Sequence, residues 1–121
     1  MRIFKNKAFD RWAQDAELTN DDLKQAVSEI SNGLYEANLG GSIYKKRIAL
    51  QGRGKRGGAR TIIAFKAGKN TFFIYGFAKN KQTTISEQEE IVLKKLAKVY
   101  FSFSDIQLSQ AMQAGQLIEV K

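Results

Sequence analysis

The sequence predicts an α+β domain occupying residues 1–121 as a single unit. Three observations predict it: two apolar patterns of helical period at the start, three segments rich in Ile, Thr, Phe and Tyr between glycine-bearing turns in the middle, and two capped helical patterns near the end. A chain of 121 residues can bury one core and is too short for a second. Proline is absent, which argues against an extended tail or linker.

The opening Met1 to Lys5 is short and apolar enough for a strand. Phe9, Trp12, Ala13 and Ala16 then recur at i, i+3, i+4 and i+7, the stripe of a first amphipathic helix, with Trp12 expected to pack on a sheet. Thr19 is a good N-cap with Asp22 three residues on, and Leu23, Ala26, Val27 and Ile30 repeat the helical spacing until Ser31-Asn32-Gly33 stops it. Beyond Gly40-Gly41 the period changes. Residues 43–50 ("IYKKRIAL"), 60–66 ("RTIIAFK") and 71–79 ("TFFIYGFAK") read as an antiparallel meander. Alternation puts Lys45 and Arg47 on one face of the first strand, and Tyr75, Phe77 and Lys79 on one face of the third. Ser86 and Glu89 make a capping box for a helix whose apolar set includes Val92, Leu93, Leu96, Ala97, Val99, Tyr100 and Phe103. Ser104 with Gln107 starts another helix that ends near Gly115, and 117–120 is a candidate last strand.

Charge is segregated along the chain. Residues 37–86 contain no Asp or Glu and eleven basic residues, namely Lys45, Lys46, Arg47, Arg53, Lys55, Arg56, Arg60, Lys66, Lys69, Lys79 and Lys81. That segment carries +11 and the remainder −3, within a net charge of +8. A merely solubilising surface intersperses acids among its bases, whereas this distribution is the footprint of a polyanion-binding surface, nucleic acid above all. The loop "QGRGKRGGAR" concentrates the pattern, with four glycines and four basic residues in ten positions.

Several chemistries are excluded. There is no cysteine, hence no disulfide framework, and no histidine, which removes the usual general base and the common zinc ligands. Gly52, Gly54 and Gly57 spell G-x-G-x-x-G, but a β-type segment follows where the dinucleotide fingerprint needs a helix. No Walker A sequence exists, and the acid-free segment offers no hard-oxygen ligands for a metal. No cofactor is expected. Neither a membrane span nor a signal peptide is indicated, so a cytoplasmic location is expected.

The stretch "LGGSIYKKRIALQGRGKRGGARTIIAFKAGKNTFFIYGFAKN", preceded by "MRIFKNKAFDRWA", resembles the RelE/ParE superfamily of toxins from type II toxin-antitoxin systems. It is similar in particular to the HigB-like branch, with a G-[RK]-G-K-x-G-G-x-R loop and a Y-G-[FA]-x-K-N strand end. The resemblance implies a RelE-like fold, with two N-terminal helices packed on a small antiparallel sheet followed by C-terminal helices. It also implies an mRNA interferase that cuts messages on the translating ribosome and is silenced by a cognate antitoxin, often one with a helix-turn-helix domain.

Such a reaction needs no metal, because RNA carries its own nucleophile in the 2′-OH. The protein has only to help deprotonate it, stabilise the phosphorane and protonate the leaving 5′-oxygen. The resemblance nominates Lys45, Arg47, Arg60 and Lys79 as catalytic. Lys45, crowded by Lys46 and Arg47, is the candidate general base; Arg60, permanently charged and forked, suits the phosphorane oxygens. Lys79 donates to the leaving group or holds a neighbouring phosphate. Lys46, Arg53, Lys55, Arg56, Tyr75 and Lys81 are expected to bind RNA, with Tyr75 or Phe77 stacking a base. Superfamily members often place a tyrosine or histidine at the C-terminal end of the site; here histidine is absent and Tyr100 falls in an apolar stripe. Two alternatives remain open at this level: a ParE-like inhibitor of DNA gyrase, and a non-catalytic module that binds nucleic acid or the ribosome.

Overall fold

Each helix starts at a polar residue that caps it. In the computed structural model, which describes residues 1–49, 58–78 and 84–121, Asn6 accepts from the Phe9 amide at 2.8 Å and opens α1 (Lys7–Asp15). Reciprocal capping boxes open the other three: Thr19 with Asp22 for α2 (Asn20–Ser31), Ser86 with Glu89 for α3 (Glu87–Phe101), and Ser104 with Gln107 for α4 (Asp105–Gln113). Each such pair satisfies amides that the first helical turn leaves without partners.

The strands among the described residues are β1 (Ile3–Asn6), β2 (Ala37–Gly40), β3 (Ile43–Ile48), β4 (Ala59–Ala64), β5 (Thr71–Ala78) and β6 (Leu117–Val120). They form one sheet in the order β2-β3-β4-β5-β1-β6. The expected meander is present as β3, β4 and β5, each antiparallel to the next. The expected small antiparallel sheet is corrected to a six-stranded mixed one, because β1 lies between β5 and β6 and runs parallel to β5. Four residues at the chain start carry no local signal of a parallel partner so far along the sequence.

Helices cover both faces of the sheet. On one side Phe9 and Ala13 of α1 and Leu23, Ala26, Val27 and Ile30 of α2 pack against Ile48, Ile63, Phe65 and Phe73. On the other, Leu93 and Ala97 of α3 and Leu108 and Ala111 of α4 pack against Phe4, Ile43, Ile62, Phe72 and Phe77. Cover on both faces explains why every residue of β4 is buried. Val92 and Val99, expected in the core set of α3, are instead 61% and 50% exposed. They lie on the side of the helix away from Leu93 and Ala97.

A bulge in β5 sets the direction of Tyr75 and Phe77. Ile62 pairs with Tyr75 and Ile63 with Phe73, so Ile74 is an extra residue on β5. In a regular strand Phe73 and Tyr75 would share a face; the extra residue turns Tyr75, and after it Phe77, onto the α3 side. The Ile74 carbonyl that the bulge displaces accepts from Asn6 Nδ2 at 3.0 Å. On the α1 side of the same strand Trp12 lies over Gly76 so closely that an added Cβ would overlap its ring.

Candidate active site

β3 and β4 bring the basic residues together. Antiparallel pairing sets Arg47 opposite Arg60, and Lys45 opposite Ile62, one step from Arg60 on the same face. Two arginines directly across a ladder repel each other and call for an anion between or above them. At Gly58 an added Cβ would meet Arg47 Nε at 3.0 Å and Arg60 Nη1 at 3.2 Å. The two guanidinium groups therefore converge over a residue that has no side chain to obstruct them.

An acid from outside the basic segment enters this cluster. The Glu36 amide donates to the Lys45 carbonyl at 2.8 Å, which anchors Glu36 just before β2 alongside β3. Its carboxylate bridges Lys45 Nζ at 3.2 Å and Arg60 Nε at 2.9 Å. Arg60 is 7% exposed, and its Nη1 is buried without a hydrogen-bond partner among the described residues. A buried guanidinium with one nitrogen on a carboxylate and another without a partner among the described residues, beside a second guanidinium, has the chemistry to hold an oxyanion. The crowding by like charges expected around Lys45 is thus relieved in part by Glu36, whose carboxylate lies between Lys45 and the Arg60 guanidinium.

Aromatic rings border the cations. Lys45 Nζ stands 6.0 Å from the centroid of Phe77, and the Phe77 and Tyr75 rings are 6.0 Å apart. The Tyr75 hydroxyl donates to Glu89 Oε2 at 3.1 Å. Glu89 is held below the usual carboxylate range, first by the Ser86 backbone amide and then by Tyr75. Tyr75 and Phe77 share one face of β5, as the alternation predicts, and the bulge puts that face on the side of Lys45, Arg47 and Arg60.

Lys46 does not join them. It points to the opposite face, is 9% exposed, and pairs with Glu29 of α2 at 2.9 Å. That contact holds the Glu29 carboxyl below its usual range. The expectation that Lys46 binds RNA is corrected to an internal ion pair, a consequence of strand alternation: if Lys45 and Arg47 face α3, Lys46 faces α2. The basic surface is correspondingly less positive than the sequence count, since Lys45, Lys46 and Arg60 meet carboxylates contributed by Glu29 and Glu36. Lys79, Lys81, Arg53, Lys55 and Arg56 lie outside the described residues.

Tyr100 stays in the core, as its stripe predicts. It stacks on Phe72 with centroids 5.1 Å apart, and burial pushes its phenol up. Phe72 lies five residues back along β5 from Phe77, about 17 Å at a strand's rise. Tyr100 is therefore no part of the Lys45–Arg60 cluster. Glu36 is the site residue that sequence reasoning missed; it stands one position before the acid-free segment begins. The signal that could have found it is its place at the start of a strand flanking the basic one.

The arrangement can bind a phosphodiester, concentrate positive charge on it and offer a carboxylate and an amine for proton handling. Among curated proteins no relative matches the chain. A family model described as "RelE toxin of RelE / RelB toxin-antitoxin system" matches residues 1–120.

Proposed function

The chain belongs to the RelE family of toxins from toxin-antitoxin systems, and from that premise we propose that it is a metal-independent endoribonuclease that cuts mRNA on the ribosome. The toxin has an antitoxin partner by virtue of its family; that the partner carries a helix-turn-helix domain, and that the toxin works in the cytoplasm, belong to this proposal. The observation that carries the nuclease reading is the buried Nη1 of Arg60, without a partner among the described residues, close to Arg47 at Gly58, with Lys45 on the same face.

In the proposed reaction the scissile phosphate takes the place over Gly58 where the two guanidinium groups converge. Charge builds on its non-bridging oxygens as the adjacent 2′-oxygen attacks in line, and Arg60 and Arg47 stabilise that charge with donors already oriented. Burial of Arg60 strengthens the effect, because its field is less screened than that of a surface arginine. The 2′-OH proton passes to the Lys45–Glu36 pair, whose carboxylate holds free lone pairs when the ammonium is charged. Lys79 donates to the 5′-oxygen as its bond to phosphorus breaks. The products are a 2′,3′-cyclic phosphate and a 5′-hydroxyl. Phe77 and Tyr75 offer a platform on which a flanking base stacks.

Purified ribosomes programmed with a defined message provide the test. The protein is expected to cut within the message in the presence of a chelator and leave a cyclic phosphate on the upstream fragment. Cleavage that stops when divalent ions are removed from an otherwise intact programmed complex, or that leaves a 3′-hydroxyl, would overturn the mechanism.

A further inference from the structure

Asn6 is a buried polar residue whose side chain does two things at once. It is the last residue of β1, and α1 begins at the next position. Its Oδ1 accepts from the Phe9 amide at 2.8 Å, and its Nδ2 donates to the Ile74 carbonyl at 3.0 Å. Capping alone would be served as well by Asp or Ser. The amide group is needed for the second bond, because only it offers an acceptor and a donor on one short side chain. That bond stands where the backbone ladder gives out: β1 pairs with β5 as far as Lys5 with Phe73, one residue before the bulge, and the Asn6 side chain takes over at Ile74. The same β1–α1 unit grips β5 from α1 as well, where the Trp12 ring lies against the bare Cα of Gly76. Ile74 and Gly76 are thus held from one side, and Tyr75 and Phe77 alternate with them toward Lys45 and Arg60.

We infer that Asn6 is a positioning residue for RNA binding: its amide fixes the β5 bulge, and the bulge sets the Tyr75 and Phe77 rings on the face where a base of the message stacks. The inference rests on the nuclease reading. Asn6 does not act by touching the cations, since the order β3-β4-β5-β1 puts it two strands from Arg60 and three from Lys45, at least about 10 and 14 Å at the spacing of neighbouring strands. Its influence passes through the Ile74 carbonyl. A carbonyl displaced from the ladder and deprived of its donor favours a return to regular pairing, because a buried acceptor without a partner is costly. Regular pairing shifts the strand by one residue, and such a shift sends Tyr75 and Phe77 to the α2 side. Gly76 would leave the Trp12 ring at the same time, and a bulky neighbour would meet that ring in its place. The phosphate contacts would survive the change, because Arg47, Arg60 and Lys45 stand on β3 and β4. Loss of the Asn6 donor therefore removes stacking and spares the charge.

The test compares the full chain with Asn6→Asp and Asn6→Ser, which keep a good N-cap for α1 and remove the amide donor. Asn6→Ser adds no charge and carries the comparison should the carboxylate of Asn6→Asp unfold the domain. With 3-fluorotyrosine at the four tyrosines, and the Tyr75 signal identified by its loss in Tyr75→Phe, the fluorine spectrum of both variants should show that signal shifted or split. Tyr35 and Tyr44 should stay in place. Affinity is then measured for ribosomes programmed with a message that a 2′-O-methyl group at the cut protects from cleavage. It should fall about tenfold in both variants, near the low end of what one stacked base contributes. With the flanking nucleotides made abasic, the wild type should lose the same factor and the variants nothing further. A Tyr75 signal at its wild-type position in both variants would overturn the inference alone, as would affinity within twofold of wild type or an equal fall on intact and abasic messages. A wild type whose ribosome affinity ignores the message would sink the nuclease reading and this inference with it.

Discussion

Removal of the Glu36 carboxylate should convert an internal ion bridge into an open anion site. In the folded protein Glu36 lies between Lys45 and Arg60, whose side chains are 12% and 8% exposed, while its own side chain is 35% exposed. In Glu36→Ala the Arg60 Nε loses its acceptor and two poorly solvated cations face each other. Breaking a fully buried pair costs about 3–5 kcal/mol, and stranding a buried donor about 1–3 kcal/mol. Solvent access to a third of the carboxylate lowers the first figure, and we expect a loss of about 2 kcal/mol. With an unfolding entropy of about 2 cal/mol/K per residue, a domain of this length should melt roughly 8 °C lower. Inorganic phosphate at about 30 times its dissociation constant should restore about 2 kcal/mol by mass action. The assay is a thermal melt of wild type and Glu36→Ala in chloride and in phosphate at matched ionic strength. Phosphate also stabilises proteins by exclusion from their surfaces, and the wild-type shift measures that part. A variant that melts within about 2 °C of wild type in chloride, or a phosphate gain equal in the two proteins, would refute the idea that Lys45 and Arg60 form a phosphate seat held in reserve by Glu36.

Arg60→Lys should retain ribosome binding within a few-fold yet cut the single-turnover cleavage rate by roughly two orders of magnitude, because an ammonium keeps the charge and loses the planar fork; equal losses of rate and affinity would make Arg60 a clamp. Gly76→Ala should destabilise the fold by about 1–3 kcal/mol through overpacking against Trp12, read by urea unfolding followed on the fluorescence of this single tryptophan; an unchanged midpoint would contradict the packing. Glu119 is held low first by its hydrogen bond from Arg2, and Glu29 by that from Lys46. A carboxyl depressed in the folded state contributes stability that is full above its unfolded value and is lost as pH falls through the folded one. The urea midpoint should therefore be flat from neutrality to about pH 5 and decline below, with a shallower decline in Glu119→Gln; an acid limb identical in that variant would remove Glu119 from the account.

Local signals in this sequence carry local structure. The capping residues Thr19, Ser86 and Ser104 and the apolar stripes behind them are short-range chemistry, and each opens a helix where expected. The β-rich segments likewise form β3, β4 and β5, with Lys45, Arg47 and Arg60 on one face. What was not legible is non-local. Ala37–Gly40 has no β-branched or aromatic residue, so β2 is a strand only because β3 offers it an edge. The parallel contact of β1 with β5 leaves no periodicity in either segment. Tyr75 reaches the α3 face through a bulge whose displaced carbonyl is satisfied by Asn6, a partnership that only the assembled sheet supplies. Glu36 was missed for a related reason: a count of charge along the chain shows where the bases lie but not which acid the neighbouring strand carries to them. The opposite face of Lys46, by contrast, follows from the alternation that pairs Lys45 with Arg47.

The central claim, translation-dependent cleavage of messages by the Arg60–Arg47–Lys45 face, is tested most directly by mapping 5′ ends of cellular RNA after induction, with translation running and with initiation blocked. The account predicts new 5′-hydroxyl ends inside reading frames while ribosomes translate, their disappearance when initiation is blocked, and their absence with Arg60→Lys. The same ends appearing with translation blocked would contradict it, as would growth arrest with relaxed DNA supercoiling and no new RNA ends.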